Sequence, residues 1–270
     1  MLPIYKAMAI DESVIQSGST KPCLMMVTDT TGDIIGQYVV KLFNRKHIEQ
    51  NQSTNKEVYG HVLASAFDLS VPSAALIKVS SDIIDILNQQ RGYRDFDLLP
   101  GYYFGTAYIS NVTDYIPNTS LKVEKWLMET VFVFDVFIRN VDRRRGKPNL
   151  FIKKDELYLI DHELSLNTNN LTFDELFNEW EKYWKFIRLG GTRSHLFYEH
   201  LKSRNAKQKI NFDEFMEYLR FFDTDLLNPY AAQLKSLGID TEDFEPIKVY
   251  LEGVKSNPDH FNRLLHYLLD

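Results

Sequence analysis

Residues 139–163 read RNVDRRRGKPNLFIKKDELYLIDHE. They follow residues 122–139, KVEKWLMETVFVFDVFIR, a run too apolar around its circumference to lie on a surface and therefore read as a buried helix. After that helix the pattern gives a loop, a short strand NLFI, a turn KKDE and a second short strand LYLID. Three oxygen-bearing side chains, Asp142, Asn149 and Asp161, each stand next to a turn or a strand end. Phosphoryl transfer uses such a set: a carboxylate near the acceptor hydroxyl, and carboxylate or amide oxygens for Mg²⁺. Asp142 suits the first role; Asn149 and Asp161 suit the second. The plainer reading, polar groups that merely cap loops, fits any one of them better than all three in order.

Upstream, CLMMVTD (23–29) and IIGQYVVKLF (34–43) are β-rich apolar runs joined by the turn signal TTGD, a hairpin. Lys41 lies inside VVKLF, where an ammonium is costly unless it meets an anion such as phosphate or sits on an edge facing solvent. Residues 55–69 carry a helical stripe of Val58, Val62, Ala66 and Leu69, with Thr54 or Asn55 as cap and SVP at 70–72 as stop. Glu57 is on that helix, 16 residues after Lys41, and can pair with it if it packs toward the sheet. The loop SGSTKP (17–22) precedes the hairpin; small residues there let backbone N–H groups approach phosphate oxygens, although ordinary turns look the same. Residues 74–79 and 102–109 read as further strands and 91–100 as loop. Downstream, amphipathic helices are expected over 172–189, 193–204, 211–222 and 259–269. Strands first and helices afterwards, without βαβ alternation, indicate an α+β fold of two lobes. The expected boundaries are 1–110 for a strand-rich lobe and 111–270 for a helical lobe, with the join near 109–121.

Composition narrows the class. The chain has 270 residues, 44% hydrophobic and 25% charged, values usual for a globular protein. A net charge of −6 argues against a general nucleic-acid coat, so direct nucleic-acid binding is not expected. The single Cys23 excludes an intramolecular disulfide and a multi-cysteine zinc site and points to a reducing compartment. The longest apolar run, 131–138, is interrupted by Asp135 and falls far short of the ~20 residues of a membrane span, so a cytoplasmic protein off the membrane is expected. Aromatics make up 13% of the chain and are read mainly as core, including the cluster WEKYWKF at 180–186. Arg139, Arg143, Arg144, Arg145 and Lys147 form a basic run that either draws in an anion or is a solvated loop. Asp135 faces either that loop or solvent; facing the loop, it could brace the loop backbone, as could Asn140.

The stretch from SGSTKP to LYLIDHE resembles the HipA-like kinases, a branch of the protein-kinase-like fold. The likeness is carried by RNVDR, KPNLFI and LYLIDHE, and upstream by SGSTKP, VVKLF, NKE and LASAFDLSVP. It implies ATP and Mg²⁺ as cofactors. It implies Asp142 as catalytic base, Asn149 and Asp161 as metal ligands, Lys41 on the α/β-phosphates and Glu57 orienting Lys41. Ser17, Gly18, Ser19 and Thr20 would form the loop over the phosphates. Phe104, Ala107, Tyr108 and Ile109 would form the adenine-side hinge. A Ser/Thr protein acceptor, a toxin-like role with an antitoxin partner, and autophosphorylation at Ser17 or Ser19 are further implications; a phosphate there would repel the nucleotide. Two features depart from ordinary protein kinases. Asp142 and Asn149 are seven apart rather than five, and the usual DFG is Asp161-His162-Glu163. A small-molecule or lipid kinase on the same scaffold, and a nucleotide-binding module without transfer, remain alternatives.

Overall fold

The computed structural model describes residues 1–11, 20–90, 92–116, 123–154 and 156–270. The fold is mixed α+β and divides into two compact units. One unit comprises Met1–Tyr59, Pro72–Asn111 and Asn228–Thr241; the other comprises Gly60–Val71, Val112–Leu227 and Glu242–Asp270.

The first unit is built on five strands: β1 (Ile4–Ile10), β2 (Cys23–Thr28), β3 (Ile34–Val40), β4 (Ala74–Val79) and β5 (Gly101–Ala107). They close into a barrel in the order β1-β2-β3-β5-β4. Only β1 with β4 is parallel among these pairs. Cys23, Met25, Val27, Val40, Leu76 and Ile77 are fully buried, which is what the β-rich runs required. The β2–β3 turn is fixed by Asp29, whose Oδ1 accepts from the backbone N–H groups of Thr31, Gly32 and Asp33 at 2.8–2.9 Å. Helices α1 (Arg45–Asn51) and α3 (Ser81–Gln89), with α2 (Ser53–Ala66) as far as Tyr59, complete the sequence-local part of this unit; the rest of α2 belongs to the other. Helix α9 (Asn228–Ser236) joins it from far along the chain.

Two local expectations are corrected. Lys41 is not inside a strand: β3 ends at Val40, and the Lys41 N–H donates to the Phe104 carbonyl at 3.0 Å. Thr54 and Asn55 are not caps: α2 starts at Ser53, directly after Gln52, whose left-handed φ of 46° terminates α1. Asn55 instead turns its Nδ2 to the Asp240 carbonyl, 2.6 Å away.

The second unit is centred on α4 (Lys125–Phe137), whose residues from Val131 onward are all buried. A small antiparallel sheet follows, β6 (Thr113–Asp114), β7 (Leu150–Lys153) and β8 (Glu156–Leu159), in that order. The remaining helices are α5 (Phe173–Asn178), α6 (Trp180–Tyr183), α7 (Tyr198–Asn205), α8 (Asp213–Phe221), α10 (Phe244–Ser256) and α11 (Pro258–Leu269). The expected helix over 172–189 is broken, because Glu179 adopts φ −117° and ψ 37° between α5 and α6 and the chain then tightens into a 3₁₀ turn at Lys185–Arg188. Aromatic side chains fill this unit's core. Phe67 stacks on Phe215 with centroids 4.7 Å apart and contacts Phe137 at 5.1 Å and Phe222 at 5.5 Å. Trp184 is fully buried and donates Nε1–H to the Val136 carbonyl at 3.2 Å. Among the described residues no helix is long and apolar enough to cross a membrane.

Candidate functional site

In the second unit the loop after α4 is organised by a buried carboxylate. Asp135 would be unstable alone in an apolar helix, since an uncompensated buried charge is strongly disfavoured. Its Oδ2 receives Arg143 Nε at 2.8 Å and His195 Nε2 at 3.0 Å, and its Oδ1 receives Asn140 Nδ2 at 3.0 Å. Both partners of the Asp135–Arg143 pair are 0% exposed. Asn140 passes the anchor on: its Oδ1 accepts the Asp142 N–H at 3.0 Å.

Asp142 is thereby presented with its side chain only 5% exposed. Its carboxylate accepts from Arg144 at 3.0 Å, from Asn149 Nδ2 at 3.3 Å and from Lys147 Nζ. The same Lys147 ammonium lies 2.9 Å from Asp161. Burial works to lower the Lys147 pKa, but the Asp161 and Asp142 carboxylates outweigh it and hold the ammonium above its usual range. Asp142, Asn149 and Asp161 are thus gathered by shared partners, with Asn149 directly before β7 and Asp161 two residues past the end of β8. Asn149 and Asp161 both adopt left-handed backbone, φ 52° and 66°. Asn and Asp are the side chains that tolerate this conformation, which clusters at functional sites.

A carboxylate oxygen of Asp161 lies within 4.8 Å of one of Glu163, a buried residue. With the Asn149 amide these are hard oxygen donors of the kind Mg²⁺ takes, so the residues fit that cation. His162 between them is turned away: its Nε2 lies 3.4 Å from an Arg143 nitrogen, and its carbonyl accepts from Ser165 Oγ at 2.7 Å. Gly60 on α2 makes room for it, since a Cβ there would stand 2.4 Å from the His162 Cβ.

In the first unit Lys41 forms an ion pair with Glu57, which is 1% exposed. The strand that ends one residue before Lys41 and the helix that carries Glu57 bring together residues 16 apart. Phe104 is buried on β5. The Ala107 N–H is occupied by the Ser73 carbonyl at 2.7 Å and the Tyr108 N–H by the Gln37 carbonyl at 2.9 Å. Tyr108 is 47% exposed and Ile109 half-buried. Thr20 is buried. Ser17, Gly18 and Ser19 lie outside the described residues.

The basic run at 139–147 is not one solvated loop. Arg143 is entirely internal. Arg139 is buried too, with donors on the Asn167 and Tyr183 carbonyls and its guanidinium carbon 5.3 Å from the Trp184 ring centre. Arg144 and Lys147 pair with the site's own acids. Sequence reasoning passed over His195, Glu163 and the position of Lys147. Glu163 and Lys147 stand in the quoted stretch, and hard-donor chemistry could have singled out Glu163. His195 carries no local signal, because its partner is 60 residues away.

The HipA-like kinase family matches residues 10–186, well over half the chain, and the chain belongs to that family. In fold it is similar to the crystal structure of a Helicobacter pylori proinflammatory kinase, CtkA, with a TM-score of 0.52 and 12% identity over 95% of this chain and 96% of that one. No curated protein matches it.

Proposed function

We propose that this protein is an ATP- and Mg²⁺-dependent phosphotransferase whose acceptor is a serine or threonine hydroxyl of a protein. In this reading the chain has the two-lobed protein-kinase-like arrangement, with an ATP-binding lobe over 1–110 and a helical lobe over 111–270 that carries the catalytic loop. The observation that carries the proposal is the convergence on Lys147 of Asp142 and Asp161, with Asn149 bonded to the same Asp142 carboxylate. Asp142 accepts the proton of the acceptor hydroxyl, and its bonds to Arg144 and Asn149 aim the carboxylate. Asn149 and Asp161 would hold Mg²⁺, and the chemistry it would supply there is neutralisation of charge on the transferring phosphate. Lys147 supplies a fixed cation beside the same two acids. Lys41, oriented by Glu57, takes the α/β-phosphates, with Ser17, Gly18, Ser19 and Thr20 over them and Phe104, Ala107, Tyr108 and Ile109 on the adenine side. Because the Ala107 and Tyr108 N–H groups already serve the barrel, their contribution to adenine is through carbonyls and side chains.

A reducing, cytoplasmic setting fits Cys23, whose burial pushes its thiol up to about 11 and leaves it unreactive. The toxin-like role, the antitoxin partner and self-phosphorylation at Ser17 or Ser19 rest on the family likeness alone. The test is incubation of the purified chain with γ-labelled ATP, Mg²⁺ and a whole-cell lysate. Label on serine or threonine of protein, lost with Asp161→Asn, is the expected result. Label confined to small molecules or lipid would overturn the acceptor class, and nucleotide binding without turnover over hours would overturn the reaction.

A further inference from the structure

Arg143 is the fifth residue of a segment rich in charge, yet it reaches neither solvent nor either acid proposed to meet substrate. Its Nε is fixed on Asp135 Oδ2, and that carboxylate is itself fixed by His195 and Asn140. The Phe197 N–H donates to His195 Nδ1 at 3.2 Å, which leaves the ring proton on Nε2 to be donated to Asp135. The plane of the guanidinium is therefore set from one side. From the other side NH1 donates to the Asn149 carbonyl at 2.6 Å and to the Ile160 carbonyl at 3.3 Å. The Ile160 N–H closes the pair by donating to that same Asn149 carbonyl at 3.2 Å. One planar fork thus grips the backbone at one proposed metal ligand and at the residue directly before the other. Both ligands are non-glycine residues in left-handed conformation, which persists only where surrounding contacts over-determine it.

We infer that Arg143 is the positioning residue of the divalent-cation site: its fork, and not its charge alone, sets the separation of Asn149 and Asp161. The inference rests on the proposed function, since it takes those two residues as the metal ligands. Lysine would keep the charge beside Asp135, but a single ammonium lacks the flat set of donors needed to reach that carboxylate and both carbonyls together.

The test uses Mn²⁺ as a spectroscopic stand-in for Mg²⁺, with free Mn²⁺ followed by electron paramagnetic resonance in titrations of the full chain and a non-hydrolysable ATP analogue. The wild type is expected to bind Mn²⁺ in competition with Mg²⁺. Arg143→Lys, checked for folding by circular dichroism, is expected to bind it at least about tenfold more weakly, as loss of groups that orient metal ligands generally does. Its metal-free affinity for the analogue is expected to stay within about twofold. His195→Gln, which loosens Asp135 without touching the fork, should give a smaller loss of the same kind and serves if Arg143→Lys does not fold. A folded Arg143→Lys, or in its place a folded His195→Gln, with wild-type Mn²⁺ affinity would overturn the inference alone. A wild-type chain that binds no Mn²⁺ would overturn the proposed function on which it rests.

Discussion

Replacing Asp135 by asparagine keeps the shape of the side chain and removes one charge from a pair that is 0% exposed on both sides. The variant leaves the buried Arg143 guanidinium without its anion. Removing one partner of a buried ion pair costs about 3–5 kcal/mol. The Asn140 and His195 donors, now 3.0 Å from an amide instead of a carboxylate, place the value toward the upper end. At roughly 2–4 °C per kcal/mol for a chain of this size, the melting temperature should fall by about 6–20 °C. Tryptophan fluorescence during urea unfolding is a suitable assay, because Trp126, Trp180 and Trp184 all lie in the same unit as Asp135. The double variant Asp135→Asn with Arg143→Met should recover most of the loss, since taking away both charges removes the orphan. A single variant within about 1 kcal/mol of wild type, or a double variant as unstable as the single, would refute the reasoning.

Gly60→Ala gains about 1 kcal/mol of helix propensity, but its Cβ would meet the His162 Cβ at 2.4 Å, and overpacking of about 1–3 kcal/mol should win. The expected result is a lower melting temperature; a more stable variant would contradict the close approach. Burial holds the His61 imidazole down to about 4, below its unfolded value near 6.5, so the unfolded chain binds the extra proton in between. The stabilisation this provides is present above pH 6.5 and lost as pH falls toward 4, an effect of order 1–3 kcal/mol. Urea midpoints at pH 7.5 and 5 should therefore drop less for His61→Gln than for wild type, and equal drops would count against it. Lys147→Met should lower the transfer rate about 10–100-fold. Because the Lys147 side chain is 36% exposed, the melting temperature should barely change; an unchanged rate would exclude Lys147 from the chemistry.

Much of the first unit was legible because its strands are short, apolar and separated by turn signals. Residues 74–79 were read as a strand and form β4 within those bounds, and the TTGD turn is the one Asp29 organises. β1 was not foreseen: IYKAMAI alternates only loosely, lies half exposed, and gains its strand state from pairing with β2 and, 72 residues on, with β4. Helix α9 carries nothing local to say that it packs with residues from the start of the chain, an association made by contacts such as Gln233 Nε2 to the Leu2 carbonyl at 2.7 Å. In the site, Asp142, Asn149 and Asp161 were visible as oxygen donors at turns. The role of Arg143 was hidden by its neighbours: four further basic residues made it look like part of a surface run. The clue was Asp135, eight residues earlier, since a carboxylate in an apolar helix needs a cation and the nearest candidates lie in that run. His195 shows the limit, for it acquires its meaning from a partner brought to it by the fold.

The most direct measurement is the rate at which γ-labelled phosphate passes from ATP to protein, for wild type and Asp142→Gln side by side at saturating Mg²⁺. General-base catalysis contributes about 10²–10⁴-fold, so the account predicts a fall of at least a hundredfold with the fold intact. An Asp142→Gln enzyme that transfers phosphate at the wild-type rate would contradict it.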